Sequence, residues 1–307
     1  MLGRDGRPRR TGRSGPGRYL ALVPALEPLP LSDALSGRSS LLLGSAAAAA
    51  RASVLAARRF REQERLAALA RRRLWSLYRD PQSILELPIV YDEDESRREE
   101  GRRVRALFEG LDVKTDQVGL ERALEQEDDF LVCYGERSQR FELETCRPLR
   151  LLLLGSASAD FVLGDSARVQ FHDSSRGSVL ARREDGEAGF VGVVAGEQAR
   201  VVVSSPSTIS CRGRAVVFPR HPAIHVVLGR GGTCELGMAD AVSTSGDSRV
   251  VLREEGHCRS IEIDDYIREG EAPTRVLDPL GAVLVQSGTS LVDHELRGIR
   301  IVRCLPF

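Results

Sequence analysis

The chain has 307 residues, enough for two ordinary domains or one large one, and its 44 basic side chains balance 44 acidic ones. Every basic residue but Lys114 is arginine. A P-loop needs a lysine beside its phosphates, a kinase needs its strand lysine and a pyridoxal-phosphate enzyme needs a Schiff-base lysine; Lys114, in "LDVKTDQ", stands in none of these contexts, which sets those three classes aside.

The neutral total hides polarity along the chain. Residues 1–81 carry a net +10, residues 82–147 a net −8 and residues 148–307 a net −2. A basic head beside an acidic middle suggests either association of the two or a polyanionic partner for the head.

Residues 1–45, which include "GRDGRPRRTGRSGPGRY", show no apolar periodicity and read as a disordered basic tail. Helix formers take over at Ala46. Residues 46–82 form an amphipathic Arg-rich helix with Phe60, Leu66, Ala70, Leu74, Leu77 and Tyr78 on one face, ended by "DPQ" at 80–82. Its arginines are either a solvated face or a surface for nucleic acid. In the second case Arg58, Arg59, Arg71, Arg72 and Arg73 make the phosphate contacts, with Trp75 and Tyr78 as stacking groups.

Residues 83–146 read as a small acidic module. A helix over Glu93–Leu111 has its acids early and Arg102, Arg103 and Arg105 late, as the helix dipole favours. A second helix over 116–127 takes Thr115 as N-cap and turns Val118, Leu120 and Leu124 inward. "FLVCY-GERSQ-RFELE" then reads as a hairpin. By this order of elements residues 93–145 resemble a winged-helix domain, in which the helix before the hairpin enters the DNA major groove. Here that helix carries "GLERALEQEDD", acidic where a DNA reader is basic, so the resemblance implies a protein-binding module rather than a DNA reader.

Residues 147–307 hold 18 of the 29 glycines, and their apolar residues step by two. The inward runs are Ala159, Phe161, Leu163; Ala167, Val169, Phe171; Ala188, Phe190, Val194; Ala199, Val201, Val203; Ile224, Val226, Leu228; Val250, Leu252; Ile261, Ile263; Val283, Val285; and Ile299, Ile301. Glycines at 155, 164, 186, 196, 246 and 256 open similar units, often nine or ten residues apart, although 204–245 breaks the spacing. Small Ala beside one Val or Phe per unit favours a narrow, wound interior. The fold class is therefore α+β: a helical N-terminal region with a small helix-helix-hairpin module, then an all-β domain, with a β-solenoid favoured and a sandwich or barrel as the alternative.

The six cysteines are widely spread with no C-x-x-C, the pattern of buried thiols in a reducing, cytoplasmic setting. No run of 18 apolar residues exists, so no membrane span is expected, and "SSLLLGSAAAAARASVLAARR" sits too far along the chain for a signal peptide. His225, Cys234, His257 and Cys258 lack any known zinc spacing, "GRGG" at 229–232 lacks the helix and lysine of a phosphate loop, and Asp264 and Asp265 point to opposite faces of a strand. No catalytic residue, metal ligand or cofactor is assigned. The expected function is a non-enzymatic scaffold that binds a protein partner or self-assembles into an oligomer. One alternative is nucleic-acid association through residues 1–79, and another is a β-solenoid polysaccharide hydrolase or lyase.

Overall fold

The computed structural model describes residues 34–78, 111–264, 272–288 and 294–304, with side chains described from 48 onward. The expectations for residues 1–33 and for the helix over 93–110 lie outside the described residues. The chain divides into two compact units, Met1–Ala56 and Ala57–Phe307.

Helix α1 covers Ala34–Tyr78 and so begins twelve residues before the expected Ala46. The Leu41–Leu43 and Ala46–Ala50 runs are strong helix formers, and they outweigh the cost of about 1 kcal/mol that Gly44 imposes in a helix interior. In the second unit, Leu66, Ala67, Ala70, Leu74 and Leu77 form the buried stripe of α1, whereas Phe60, assigned to that stripe from the sequence, is exposed.

The rest of the second unit is a β-solenoid of about eight coils with few helices. Each coil contributes one strand to an eleven-stranded sheet, here sheet A, and one to a nine-stranded sheet, here sheet B. Sheet A contains β1 (Val113–Lys114), β2 (Phe130–Gly135), β4 (Arg150–Gly155), β6 (Ala167–Phe171), β8 (Val191–Ala195), β10 (Ser207–Cys211), β12 (Ile224–Leu228), β14 (Ala241–Thr244), β16 (Ser260–Asp264), β20 (Ile299–Cys304) and β19 (His294–Leu296), in that spatial order. Sheet B contains β3 (Arg140–Glu144), β5 (Ser158–Gly164), β7 (Arg176–Arg182), β9 (Arg200–Val203), β11 (Val216–Pro219), β13 (Thr233–Met238), β15 (Arg249–His257), β17 (Arg275–Leu277) and β18 (Val283–Gln286). This pattern removes the sandwich and barrel alternative. "GDSARVQF" is one rung, and its partner rung lies one full coil away.

Pairing between coils is parallel and in register, which stacks like residues into columns. Leu131, Leu151, Val169, Val193, Ile209, Val226, Val242, Ile261 and Ile301 are successive partners in sheet A, and all are buried. A full column of β-branched and leucine side chains fills its own length with no polar atom to satisfy. Where a phenylalanine enters, its neighbour shrinks: a Cβ on Gly177 would lie 2.6 Å from the Phe171 ring. At the turn from sheet A to sheet B six of the coils carry a left-handed residue. Gly155 has φ 85°, and a Cβ there would approach the Gly135 carbonyl oxygen to 2.3 Å.

Both ends of the solenoid are closed. At the N-terminal end α2 (Gln117–Glu125) turns Leu120 and Ala123 into the solenoid core. Its N-cap is Asp116, whose Oδ1 accepts from the Gly119 amide at 2.8 Å, rather than the expected Thr115. Val118, expected inward, is exposed. At the other end β18 and β19 pair antiparallel with β17 and β20, which ends the parallel winding on short reversed strands.

Several expectations need correction. The "FLVCY-GERSQ-RFELE" runs do not pair with each other: β2 pairs in parallel with β4 and β3 with β5, so they are the two legs of the first coil. Local alternation is identical in a hairpin and a coil, and the winged-helix resemblance falls with the hairpin. The run at 188–194 is shifted by one: Val191, Val193 and Ala195 face the core, while Ala188 and Phe190 lie outside it and Phe190 is exposed. Residues 183–190 form an insertion whose length hides the register. Val283 is also exposed, as part of the reversed edge strand. Residues 204–245 do not break the winding; Val191 pairs with Ser207 and Ser207 with Ile224, 16 and 17 residues on.

Candidate interaction site

Two clefts meet along the turn edge that joins sheet A to sheet B, and the left-handed residues of that edge organise both. Four coils place a glycine there at positive φ, namely Gly155, Gly213, Gly231 and Gly246. Two more place an acid in the same role, Asp173 (φ 58°) and Glu197 (φ 53°). A side chain in this region costs about 1–2 kcal/mol, so something offsets the strain. Asp173 Oδ2 accepts from the Gly155 amide at 2.9 Å, and Glu197 Oε2 accepts from the Asp173 amide at 2.8 Å. Each acid thus ties its own coil to the one before.

Arg73 of α1 closes this pair. Its Nε donates to Asp173 Oδ1 at 2.6 Å and its Nη2 donates to Glu197 Oε1. His172, buried, has Nδ1 3.3 Å from Glu197 Oε2 and Nε2 3.3 Å from Gln170 Oε1. Burial by itself would raise the Glu197 pKa. The hydrogen bonds from His172 and the Asp173 amide, with the charges of His172 and Arg73, outweigh burial and bring it down to about 2. Arg65 adds an exposed bond to Glu136 at 2.7 Å, and Gln63 reaches Asp116. Beneath these bonds lies an apolar contact: Ala67, Ala70, Leu74 and Leu77 pack on Val113, Val132, Leu152 and Leu154, with Trp75 and Tyr134 at its rim.

The first cleft, of about 530 Å³, runs beside this latch and is lined by Leu69, Arg72, Arg73, Tyr134, Ser156 and Asp173, among others. The second, of about 770 Å³, shares Ser156 and Ser174 with it and continues along sheet B past Arg137, Arg176, Arg200 and Arg214. Among the described residues no aspartate or glutamate lines the second cleft.

The five arginines singled out from the sequence have different surroundings on α1. Arg58, Arg59 and Arg72 are exposed on α1. Arg73 belongs to the latch, and Arg71 donates from Nε to the Leu111 carbonyl at 3.3 Å. His225 lies on sheet A, 3.1 Å from the Ser243 hydroxyl, while Cys234 and Cys258 are buried in the core and His257 is exposed. Among the described residues no group of three or more His, Cys, Asp or Glu side chains is placed to hold a metal ion. Burial pushes the Cys133, Cys211 and Cys258 thiols up to about 12 and Cys234 well above its ordinary value, which leaves all four as inert fillers of the interior. "GRGG" is the turn between β12 and β13, and Asp265 lies outside the described residues.

Two features escape a reading of the sequence. The latch has one sequence signal, "RLLLLG" at 150–155, where four leucines in a row break the period of two and require an apolar partner on the outer face. The arginine cleft has none, because the insertion at 183–190 separates Arg176 from Arg200 in sequence while the register pairs them.

The chain matches no protein-family model, no curated protein and no solved structure. No helix among the described residues is long and apolar enough to cross a membrane.

Proposed function

We propose that the chain is a non-enzymatic interaction scaffold, a rigid solenoid whose outer faces and turn edge receive a protein partner. The observation that carries this reading is the docking of α1 on sheet A. An amphipathic helix lies on outward-facing Val132, Leu152 and Leu154 and is clamped by Arg73 on two coil turns. The outer face of this solenoid is thus suited to receive a helix, and the coils beyond β4 repeat the same geometry without one among the described residues.

Of the two modes open to a scaffold, a separate partner is favoured over end-to-end self-assembly. Stacking of coils needs open sheet edges, and here α2 closes one end while β18 and β19 reverse the other. Light scattering of the purified full chain tests this choice, with a monomer mass expected at all concentrations and growing fibres against it. Release of reducing ends from a panel of polysaccharides would replace the scaffold reading with the hydrolase one; none is expected.

A second reading, nucleic-acid association through α1, draws on the exposure of Arg58, Arg59 and Arg72. Replacing these three by Ala should then weaken binding to any RNA or DNA, with little dependence on base sequence.

A further inference from the structure

We propose that the arginine cleft on sheet B is a binding site for the phosphate backbone of single-stranded nucleic acid, separate from α1 and independent of the scaffold reading. Arg137, Arg176, Arg200 and Arg214 come from four different coils and line one groove of about 770 Å³. None of the four forms an ion pair with a described carboxylate. Some arginines elsewhere on the solenoid have carboxylate partners, Arg140 with Asp160, Arg147 with Asp129 and Arg259 with Asp240; what sets the groove apart is that four cations share one lining. Among the described residues these four cations gather without a counter-charge, which makes the groove a place for an anion to bind.

Register brings two of the groove's charges side by side, as it also does for Arg150 with Arg168 and Arg249 with Arg275 outside the groove. Arg176 and Arg200 are direct partners on adjacent parallel strands, about 4.8 Å apart. Like charges placed directly opposite destabilise a sheet, so this pair costs the fold something unless an anion lies between the two guanidinium groups. A phosphate does so well, because its oxygens match the guanidinium fork and accept further bonds from hydroxyls such as Ser156 and Ser158 on the same wall.

The lining also chooses among polyanions. An acidic peptide would bring apolar side chains and a backbone that needs partners. Val216 is the lone apolar lining residue among those described, and the parallel pairing of β7, β9 and β11 already occupies the strand backbone. Among the described residues no aromatic ring lines the groove, so bases do not stack on them, and recognition reads the backbone without regard to sequence. From the coil of Arg137 to that of Arg214 is four strand spacings, about 19 Å, a line along which a single strand lays several successive phosphates.

The test is fluorescence anisotropy of a labelled dT 20-mer titrated with the full chain at about 50 mM salt, a condition that favours phosphate contacts. Binding is expected, with a log–log salt slope of about −2 to −3 for three to four phosphates on a single strand. The double variant Arg176→Glu/Arg200→Glu should weaken it at least tenfold and flatten the slope. Arg214→Glu, in a turn outside the strands, should weaken it severalfold with the thermal melt unchanged, which guards against misfolding of the double variant. Arg58→Ala/Arg59→Ala/Arg72→Ala should leave it within twofold. The proposal is overturned by no binding of the 20-mer, or by loss in the α1 variant with none in the groove variants. A glutamate 20-mer bound as tightly, or inorganic polyphosphate bound while the 20-mer is not, overturns it equally.

Discussion

At β2 and β4 the residues pointing out of the solenoid are Val132, Leu152 and Leu154, and α1 covers them; at β7 and β9 the residues that open the strands are Arg176 and Arg200, which line an open groove. The two regions lie on different coils and different sheets, but both are backed by an inward column of buried apolar side chains. What differs is the identity of outward residues, which the core does not constrain. The interior therefore specifies the fold, and the outer face is left to specify what the fold touches.

The sharpest way to break this division is to exchange an inward and an outward residue. Val201 is fully buried and Arg200 beside it is exposed. Val201→Asp places a carboxylate in the aliphatic interior and should cost about 4 kcal/mol or more, enough to unfold a marginal domain in a thermal melt. If it melts near the parent temperature, the inward column is misassigned.

Next in size is the apolar contact under the helix. Leu74 is fully buried, and Leu74→Ala should remove about 2–5 kcal/mol of docking free energy. The chain has a single tryptophan, Trp75, which sits at the rim of that contact. Its emission should shift red as α1 lifts, while the far-UV signal of the solenoid persists; joint loss of both signals would mean that helix and coils form one cooperative unit.

Arg73→Ala breaks a partly buried cation away from two carboxylates and is expected to cost about 1–2 kcal/mol, between the values for exposed and buried pairs. The same latch sets a pH dependence. The Glu197 carboxyl has its folded pKa lowered to about 2 from an ordinary 4.5, so its contribution is fully present above pH 4.5 and is lost as pH falls through about 2. Trp75 emission should shift in that window, and Glu197→Gln should lack this component. A transition confined to pH 5–7 would assign the latch to another group. Smallest of all is Arg200→Asp, expected within about half a kcal/mol, with relief of the Arg176 repulsion in its favour.

These contrasts track what the sequence makes legible. Alternation places Ala159, Phe161, Val169, Val201, Val226, Ile261 and Ile301 inward, and all are buried, because burial on one face leaves a period of two wherever the coil is undecorated. The partner of each strand is not legible. A parallel rung sits a coil away, and the same alternation serves a hairpin, which is why the sequence suggests that β2 and β3 pair with each other. The latch escapes for a related reason: Asp173 and Glu197 look like ordinary turn acids, and only the fold brings them to Arg73. The groove depends wholly on register, which an insertion between β7 and β8 conceals.

The latch also constrains the order of assembly. Successive rungs join residues between 16 (Val191 with Ser207) and 24 (Arg168 with Gly192) positions apart through most of the solenoid, so each coil can add to the last as the chain emerges, with α2 and β2 as the first template. Arg73, by contrast, meets acids 100 and 124 residues downstream. The helix is made early, yet its clamp cannot close until the coil bearing Glu197 has wound. The leucines of α1 stand open to water only until β4 has formed, and from then until the coil bearing Glu197 has wound the helix is held by its apolar contact alone.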